Sequence, residues 1–326
     1  MMRETFVALA LLTGSAAVAA QPVTTKLEAV SGIPNVDSKT QTEDVQFKNE
    51  NYGRMTVPVQ LSGAGPFQFL VDTGADRTAV SSELVGKLGL QKGENAAVHT
   101  VAGISQVSTA TVPNLELTRR LVSVVNAPVL NSEDMGADGI LGVDSLRAQR
   151  VLFDFGTNTL SIVPSAVPDF RDEPGTIVVQ AKRKNGRLVV TDAAANGHPL
   201  TVVIDTGAQL SIGNEALRRR LLGHGLVDTS QQIELLSVTG AKITGEYIFV
   251  RELEIGGLKL NNLAIVFTDA HTFRELHLDK KPALLLGMNA IRAFKKVSID
   301  FASSKFRVVL PESSQLDVRF ASARLR

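Results

Sequence analysis

One stretch of this chain occurs twice, and that repetition constrains the fold more than any other feature. Pro66-Phe-Gln-Phe-Leu-Val-Asp72-Thr-Gly-Ala75 has a counterpart in Pro199-Leu-Thr-Val-Val-Ile-Asp205-Thr-Gly-Ala208. In both, an acidic residue ends a run of apolar ones and a Thr-Gly-Ala follows. Further features recur in the same order around each copy. A strand pattern precedes, Met55–Leu61 and Arg187–Thr191, with Gly63 and Gly65 or Asn196 and Gly197 in the intervening turn. A hairpin pattern follows, Thr100-Val-Ala-Gly103 against Ser237-Val-Thr-Gly240. Gly139-Ile-Leu-Gly142 and Leu284-Leu-Leu-Gly287 come next, each before a stretch of helical character. Each half closes on two strands, Val151–Phe155 leading to Val163-Pro164 and Val297–Phe301 leading to Leu310-Pro311.

Such a repeat divides the chain into similar units. With 326 residues there is material for two lobes of ordinary domain size. The first spans residues 53–165 and the second 176–312, joined through Ser165–Gly175, where Pro168, Pro174 and several charges suit a linker. Short runs of Val, Ile, Leu and Thr broken by Gly, Asn and Pro make the content mainly β. Helices are expected at Ser81–Leu90 and Asn214–Leu222, each opened by a residue able to cap it.

The ends differ from this pattern. An apolar run from Phe6 leads into small residues up to Ala20, so residues 1–20 read as a secretory signal peptide. As a helix the run Phe6–Ala20 would reach roughly 22 Å, short of the roughly 30 Å hydrocarbon core of a bilayer. The expectation is therefore an exported, periplasmic or secreted protein with no stable membrane span after signal removal. Residues 21–52 are polar and read as a loosely packed arm, with an inhibitory propeptide as an open alternative, and residues 313–326 form a C-terminal tail.

Composition narrows the chemistry. The chain has no cysteine, which excludes disulfides, thiol catalysis and zinc–thiolate sites. A formal net charge of +1, without a basic stripe, gives no reason to expect a nucleic-acid partner. The histidines, His99, His198, His224, His271 and His277, contain no pair at the i, i+4 spacing of a helical zinc motif, so no metal and no cofactor are expected. There is no Gly-x-Ser-x-Gly elbow, which sets aside a serine hydrolase.

What remains is the pair of aspartates. A single Asp-Thr-Gly is an ordinary turn sequence. Two copies in register, each ending a buried strand, place two carboxyls where one alone would be costly to bury. On these residues the chain resembles the pepsin and retropepsin superfamily of aspartic peptidases over nearly all of residues 53–312. The hydrophobic-hydrophobic-Gly element of that family is matched by Ile140-Leu141-Gly142 and Leu285-Leu286-Gly287.

The resemblance implies a mainly β, bilobal, pepsin-like fold with two pseudo-twofold-related lobes of six-stranded type and one or two short helices each. It implies an aspartic endopeptidase acting on polypeptide, with Asp72 and Asp205 catalytic and sharing one proton. Aspartic proteases are the standard worked example of that sharing. Thr73, Gly74, Ala75, Thr206, Gly207 and Ala208 would support the pair, and Val101, Ala102, Gly103, Ile104, Val238, Thr239 and Gly240 fall where the family carries its flaps. Asp76 would join an ion-pair network near the contact between halves, for which Gln209 in the second half has no charge. Ala75 and Ala208 stand where pepsins more often carry a hydroxyl, which favours activity from mildly acidic to near-neutral pH. With both triplets on one chain, a monomer holds the whole site. The rival readings are an obligate dimer and a catalytically silent peptide-binding or scaffolding module of the same fold.

Overall fold

In a computed structural model, residues 55–117, 120–167, 173–222 and 231–311 are described, with the short strands Thr5–Val7, Leu27–Glu28, Asp44–Gln46 and Lys48–Asn49 before them. Most of the expected signal peptide and all of the C-terminal tail lie outside these residues. Thr5–Val7 runs parallel to Ala97–His99, and three pieces of the polar arm lie on strand edges, Asp44–Gln46 for instance against Thr159–Ser161.

Each half is built around a strand that ends in its Asp-Thr-Gly. Ala64–Val71 pairs in parallel with Gly139–Leu141, in the register Phe69↔Gly139 to Val71↔Leu141. Thr201–Ile204 pairs in parallel with Ala283–Leu286, from Thr201↔Ala283 to Ile204↔Leu286. Leu70, Val71, Val202, Val203 and Ile204 are all buried, so these strands are covered on both faces. That is why they read as unbroken apolar runs and not as alternating ones. Asp72 and Asp205 continue the ladder by one bond each, donating N–H to the carbonyls of Leu141 and Leu286 at 3.0 Å.

The helices form at Ser82–Leu88, capped by the Ser81 side chain, and at Glu215–Leu222, where Asn214 Oδ1 accepts from the Leu217 amide at 2.9 Å. Among the described residues each half has two further short helices, Ser132–Met135 and Val143–Leu146 in the first, His271–Glu275 and Met288–Ile291 in the second. Ser132–Met135 and His271–Glu275 are a turn or so long, too short to give a periodic signal.

The closing strands pair within each half as expected, Gln149–Asp154 with Thr159–Pro164 and Lys296–Asp300 with Lys305–Val309. They also pair with each other across the halves. Gln149–Asp154 pairs antiparallel with Lys296–Asp300, from Arg150↔Asp300 to Asp154↔Lys296. The result is one six-stranded sheet shared by the halves, in the order Thr176–Gln180, Lys305–Val309, Lys296–Asp300, Gln149–Asp154, Thr159–Pro164, Asp44–Gln46. Val151, Phe153, Val297, Ile299 and Phe301 alternate inward from it into the main core. Alternation fixes which face of a strand is buried but not which neighbour it takes.

Candidate active site

Asp72 and Asp205 are both fully buried at the contact between the halves. In each, the inner oxygen is held by its own loop. Gly74 and Ala75 donate their amides to Asp72 Oδ1 at 2.8 and 2.9 Å, and Gly207 and Ala208 donate to Asp205 Oδ1 at 3.1 and 3.2 Å. The halves approach so closely that a Cβ on Gly207 would lie 2.3 Å from Cγ of Asp72, which only glycine permits. Burial first, and then the charge of Asp72, push the pKa of Asp205 well above the usual carboxylate range, while the amides of Ala208 and Gly207 pull the other way.

The threonines lock the two loops together. Thr73 Oγ1 donates to the Ile204 carbonyl at 3.0 Å and accepts from the Thr206 amide at 3.0 Å. Thr206 Oγ1 donates to the Val71 carbonyl at 2.7 Å and accepts from the Thr73 amide at 3.1 Å. All four bonds cross between the halves, so neither loop keeps its geometry without the other.

Behind each loop the hydrophobic-hydrophobic-Gly element packs on backbone. A Cβ at Gly142 would meet the Arg77 carbonyl carbon at 2.4 Å, and one at Gly287 the Leu210 carbonyl carbon at 2.6 Å. A polar pair then braces each loop: Thr78 donates amide and hydroxyl to Asp144 Oδ1 at 2.9 and 2.7 Å, and Ser211 donates both to Asn289 Oδ1 at 2.8 Å. These braces were missed in the sequence. Their signal was present in Gly142-Val-Asp144 and Gly287-Met-Asn289, which repeat at matching positions.

Both candidate flaps meet the opposite half. Val101, at the tip of the hairpin Ala96–Val107, is buried among Val266, Phe273, Leu276 and Leu285 of the second half. Val238 is buried among Leu70, Val98, Met135 and Ile140 of the first. Ser105 Oγ donates to Thr239 Oγ1 at 3.3 Å, joining the two hairpins directly. The second hairpin is therefore placed like the first, its tip packed on the opposite half. Ala102, Gly103, Thr239 and Gly240 are half-buried, whereas Ile104 is 56% exposed.

Asp76 takes the ion-pair role expected of it. Its partner is Arg187, the first residue of a strand in the second half, with Nη1 at 3.0 Å from Asp76 Oδ1. Arg187 also donates from Nε to the Gly74 carbonyl at 2.6 Å. Burial lifts the pKa of Asp76 to about 6, against the opposing pull of the Arg187 guanidinium. An open cavity of about 650 Å³ is lined by Asp76, Arg77, Arg147, Gly186 and Glu275 among others.

The histidines are less dispersed than the sequence indicated. His99 in the first hairpin meets His271 and Glu275 on a helix of the second half, with all three ligand-type atoms within 4.8 Å of one another. No His–His spacing marks this group, because its i, i+4 pair is a histidine and a glutamate and His99 is 172 residues from His271.

Residues 57–148 match the family model described as "gag-polyprotein putative aspartyl protease", and residues 191–290 match the family "Aspartyl protease". The chain belongs to the aspartic peptidases. Each match covers one Asp-Thr-Gly and its hydrophobic-hydrophobic-Gly element, so this aspartic peptidase carries two protease units in one chain. A search of curated proteins finds no significant match. Among solved structures, the aspartic proteinase from Irpex lacteus aligns with a TM-score of 0.48 at 13% identity, over 84% of this chain and 98% of that one. Basic 7S globulin from soybean aligns with a TM-score of 0.44 at 11% identity, over 83% of this chain and 94% of that one.

Proposed function

We propose that this hydrolase is an aspartic endopeptidase that cuts exported or membrane polypeptides, using Asp72 and Asp205 as one catalytic dyad. The observation that carries the reading is the reciprocal bonding of Thr73 and Thr206 around two buried carboxyls whose inner oxygens are each fixed by two amides. Two carboxyls held this closely share a proton, because the second charge is resisted by both burial and the first. The ionised partner acts as general base on a water between them, and the protonated one polarises the scissile carbonyl. Attack gives a tetrahedral diol, and a proton passed to the amide nitrogen releases the amine product.

Both carboxyls are buried, and on this reading the hairpins around Val101 and Val238 lift from the opposite halves to admit substrate. A single chain supplies both aspartates, which supports a monomer; hydrodynamic mass tests that directly. Export is proposed from the apolar and small-residue pattern of residues 1–20. Among the described residues no helix is long and apolar enough to cross a membrane.

The deciding experiment is cleavage of an unstructured protein across pH 3 to 8 by the purified chain, Asp72→Asn and Asp205→Asn, with and without a statine-type inhibitor. Inhibitor-sensitive cleavage lost in both single variants is the expected result. Cleavage that survives either substitution overturns the shared dyad. A wild type that binds peptide but cuts nothing at any pH points to a silent binding module.

A further inference from the structure

We propose that His99, His271 and Glu275 form a zinc-binding site that fastens the first hairpin to the second half of the chain. The three facing atoms make a triangle: His99 Nδ1 stands 2.6 Å from Glu275 Oε1 and 2.9 Å from His271 Nε2, and His271 Nε2 stands 3.3 Å from the same carboxylate oxygen. With the carboxylate ionised, hydrogen bonds cannot satisfy this triangle. Each ring nitrogen offers one site in its plane, carrying either a proton or a lone pair. If both nitrogens are protonated, two N–H groups oppose each other across 2.9 Å. If one is not, its lone pair faces the carboxylate. A cation at the centre meets all three atoms at once.

The donors suit zinc. Two imidazoles and a carboxylate are a common set for it, and leave a fourth position for water or a substrate group. Tetrahedral zinc with bonds of about 2.0–2.1 Å separates its ligands by about 3.3 Å. The His271–Glu275 edge already has that length, and the other two need to open by well under 1 Å. The His99 side chain is 7% exposed, that of His271 15% and that of Glu275 26%, so bulk water competes weakly for the ion. Glu275 also borders the open cavity at Asp76, which provides an entry path.

The location gives the site a consequence. His99 lies in the strand that leads to the hairpin tip, and the helix bearing His271 and Glu275 is already bonded to that tip, His271 donating its amide to the Val101 carbonyl at 2.9 Å. A metal here adds a coordinate tie to the same contact. The pseudo-twofold counterpart of His99 is Leu236, before Ser237-Val238, so the second hairpin has no such tie. Resting on the peptidase reading, zinc restrains the opening of one hairpin and slows turnover.

The test starts from chelator-treated protein titrated with Zn(II) in competition with a chromophoric chelator, and with Co(II) followed by its visible absorption. One ion per chain is expected, together with a tetrahedral-type cobalt spectrum and a rise in melting temperature with zinc. His99→Ala, His271→Ala and Glu275→Gln each weaken binding at least tenfold, while His277→Ala, an exposed histidine outside the group, leaves it unchanged. Glu275→Gln keeps the side-chain volume at a half-buried position, so it decides the matter should a histidine variant fail to fold. The absence of stoichiometric binding, or binding indifferent to Glu275→Gln, overturns the site. Zinc inhibition of cleavage, reversed by chelator and lost in Glu275→Gln, supports the hairpin tie. Because the metal readouts need no activity, failure of the peptidase reading leaves them interpretable.

Discussion

Arg187 and Asp76 are joined across the two halves, with Nη1 at 3.0 Å from Oδ1, and the same guanidinium holds the carbonyl of Gly74 inside the first Asp-Thr-Gly loop. Arg187 is fully buried. Removing it strips the buried Gly74 carbonyl of that donor and takes the counter-charge from Asp76. Breaking a buried pair from one side costs about 3–5 kcal/mol. Arg187→Met is therefore expected to lose stability on that scale in urea denaturation and to lower cleavage as the Gly74 loop relaxes. The double variant with Asp76→Leu is expected to recover much of the stability but not the activity. A loss below about 1 kcal/mol in the single variant contradicts the assigned role.

The same carboxyl makes stability depend on pH, in a direction opposite to that of ordinary surface acids. Asp76 titrates at about 6 in the folded chain, against 3.8 as its ordinary value. Between these values the folded chain binds more protons than the unfolded one, so stability falls as pH rises from about 4 to 6 and the loss is complete above that. Its upper bound is about 3 kcal/mol. Asp205 acts in the same direction, because burial and Asp72 raise it as well. The melting temperature of Asp205→Asn should accordingly vary less steeply with pH than that of the wild type. Equal slopes would remove the argument.

For catalysis the raised Asp205 has a further consequence. The dyad works while it retains one proton, so the alkaline limb of kcat/KM should lie above the range of an unperturbed carboxyl, with activity persisting from mildly acidic to near-neutral pH. Asp72→Asn and Asp205→Asn should each reduce kcat by at least about a thousandfold, since members of a coupled pair fail together. Asp205→Asn should also be no less stable than the wild type near pH 7, because it removes a carboxyl that burial disfavours in its ionised form. An optimum confined to strongly acidic pH would contradict the first expectation.

The sequence showed the site more clearly than its setting, and the reason is physical. Asp72, Asp205, Gly142 and Gly287 each satisfy a local demand, a strand end or a backbone contact too close for any Cβ, and local demands recur in both halves. The shared sheet was hidden because Val151 and Ile299 show the same alternation whichever strand they pair with. Arg187 was hidden in another way. A charged first residue looks like the solvated end of a strand, and only the folded chain brings it to Asp76. His99, His271 and Glu275 come from two halves with no repeated counterpart, so no internal repeat marks them as it marks the dyad.

The Thr73–Thr206 bonds permit a test that separates hydrogen bonding from packing. Each hydroxyl donates to one carbonyl and accepts from one amide of the opposite half, at 2.7 to 3.1 Å. Valine fills nearly the same volume but cancels both bonds, leaving a buried N–H and a buried C=O without that partner. At about 1–3 kcal/mol for each such group, Thr206→Val should destabilise by about 2–6 kcal/mol. It should also cut kcat at least tenfold, as Asp205 loses its fixed orientation. Serine retains the hydroxyl and removes only a methyl, so Thr206→Ser should remain within about 1.5 kcal/mol and a few-fold in kcat. Thr73→Val should match Thr206→Val, because the bonds are reciprocal. If valine and serine behave alike at either position, packing and not the hydroxyl joins the two loops, and the pre-set geometry of the dyad must come from Arg187 and the loop amides alone.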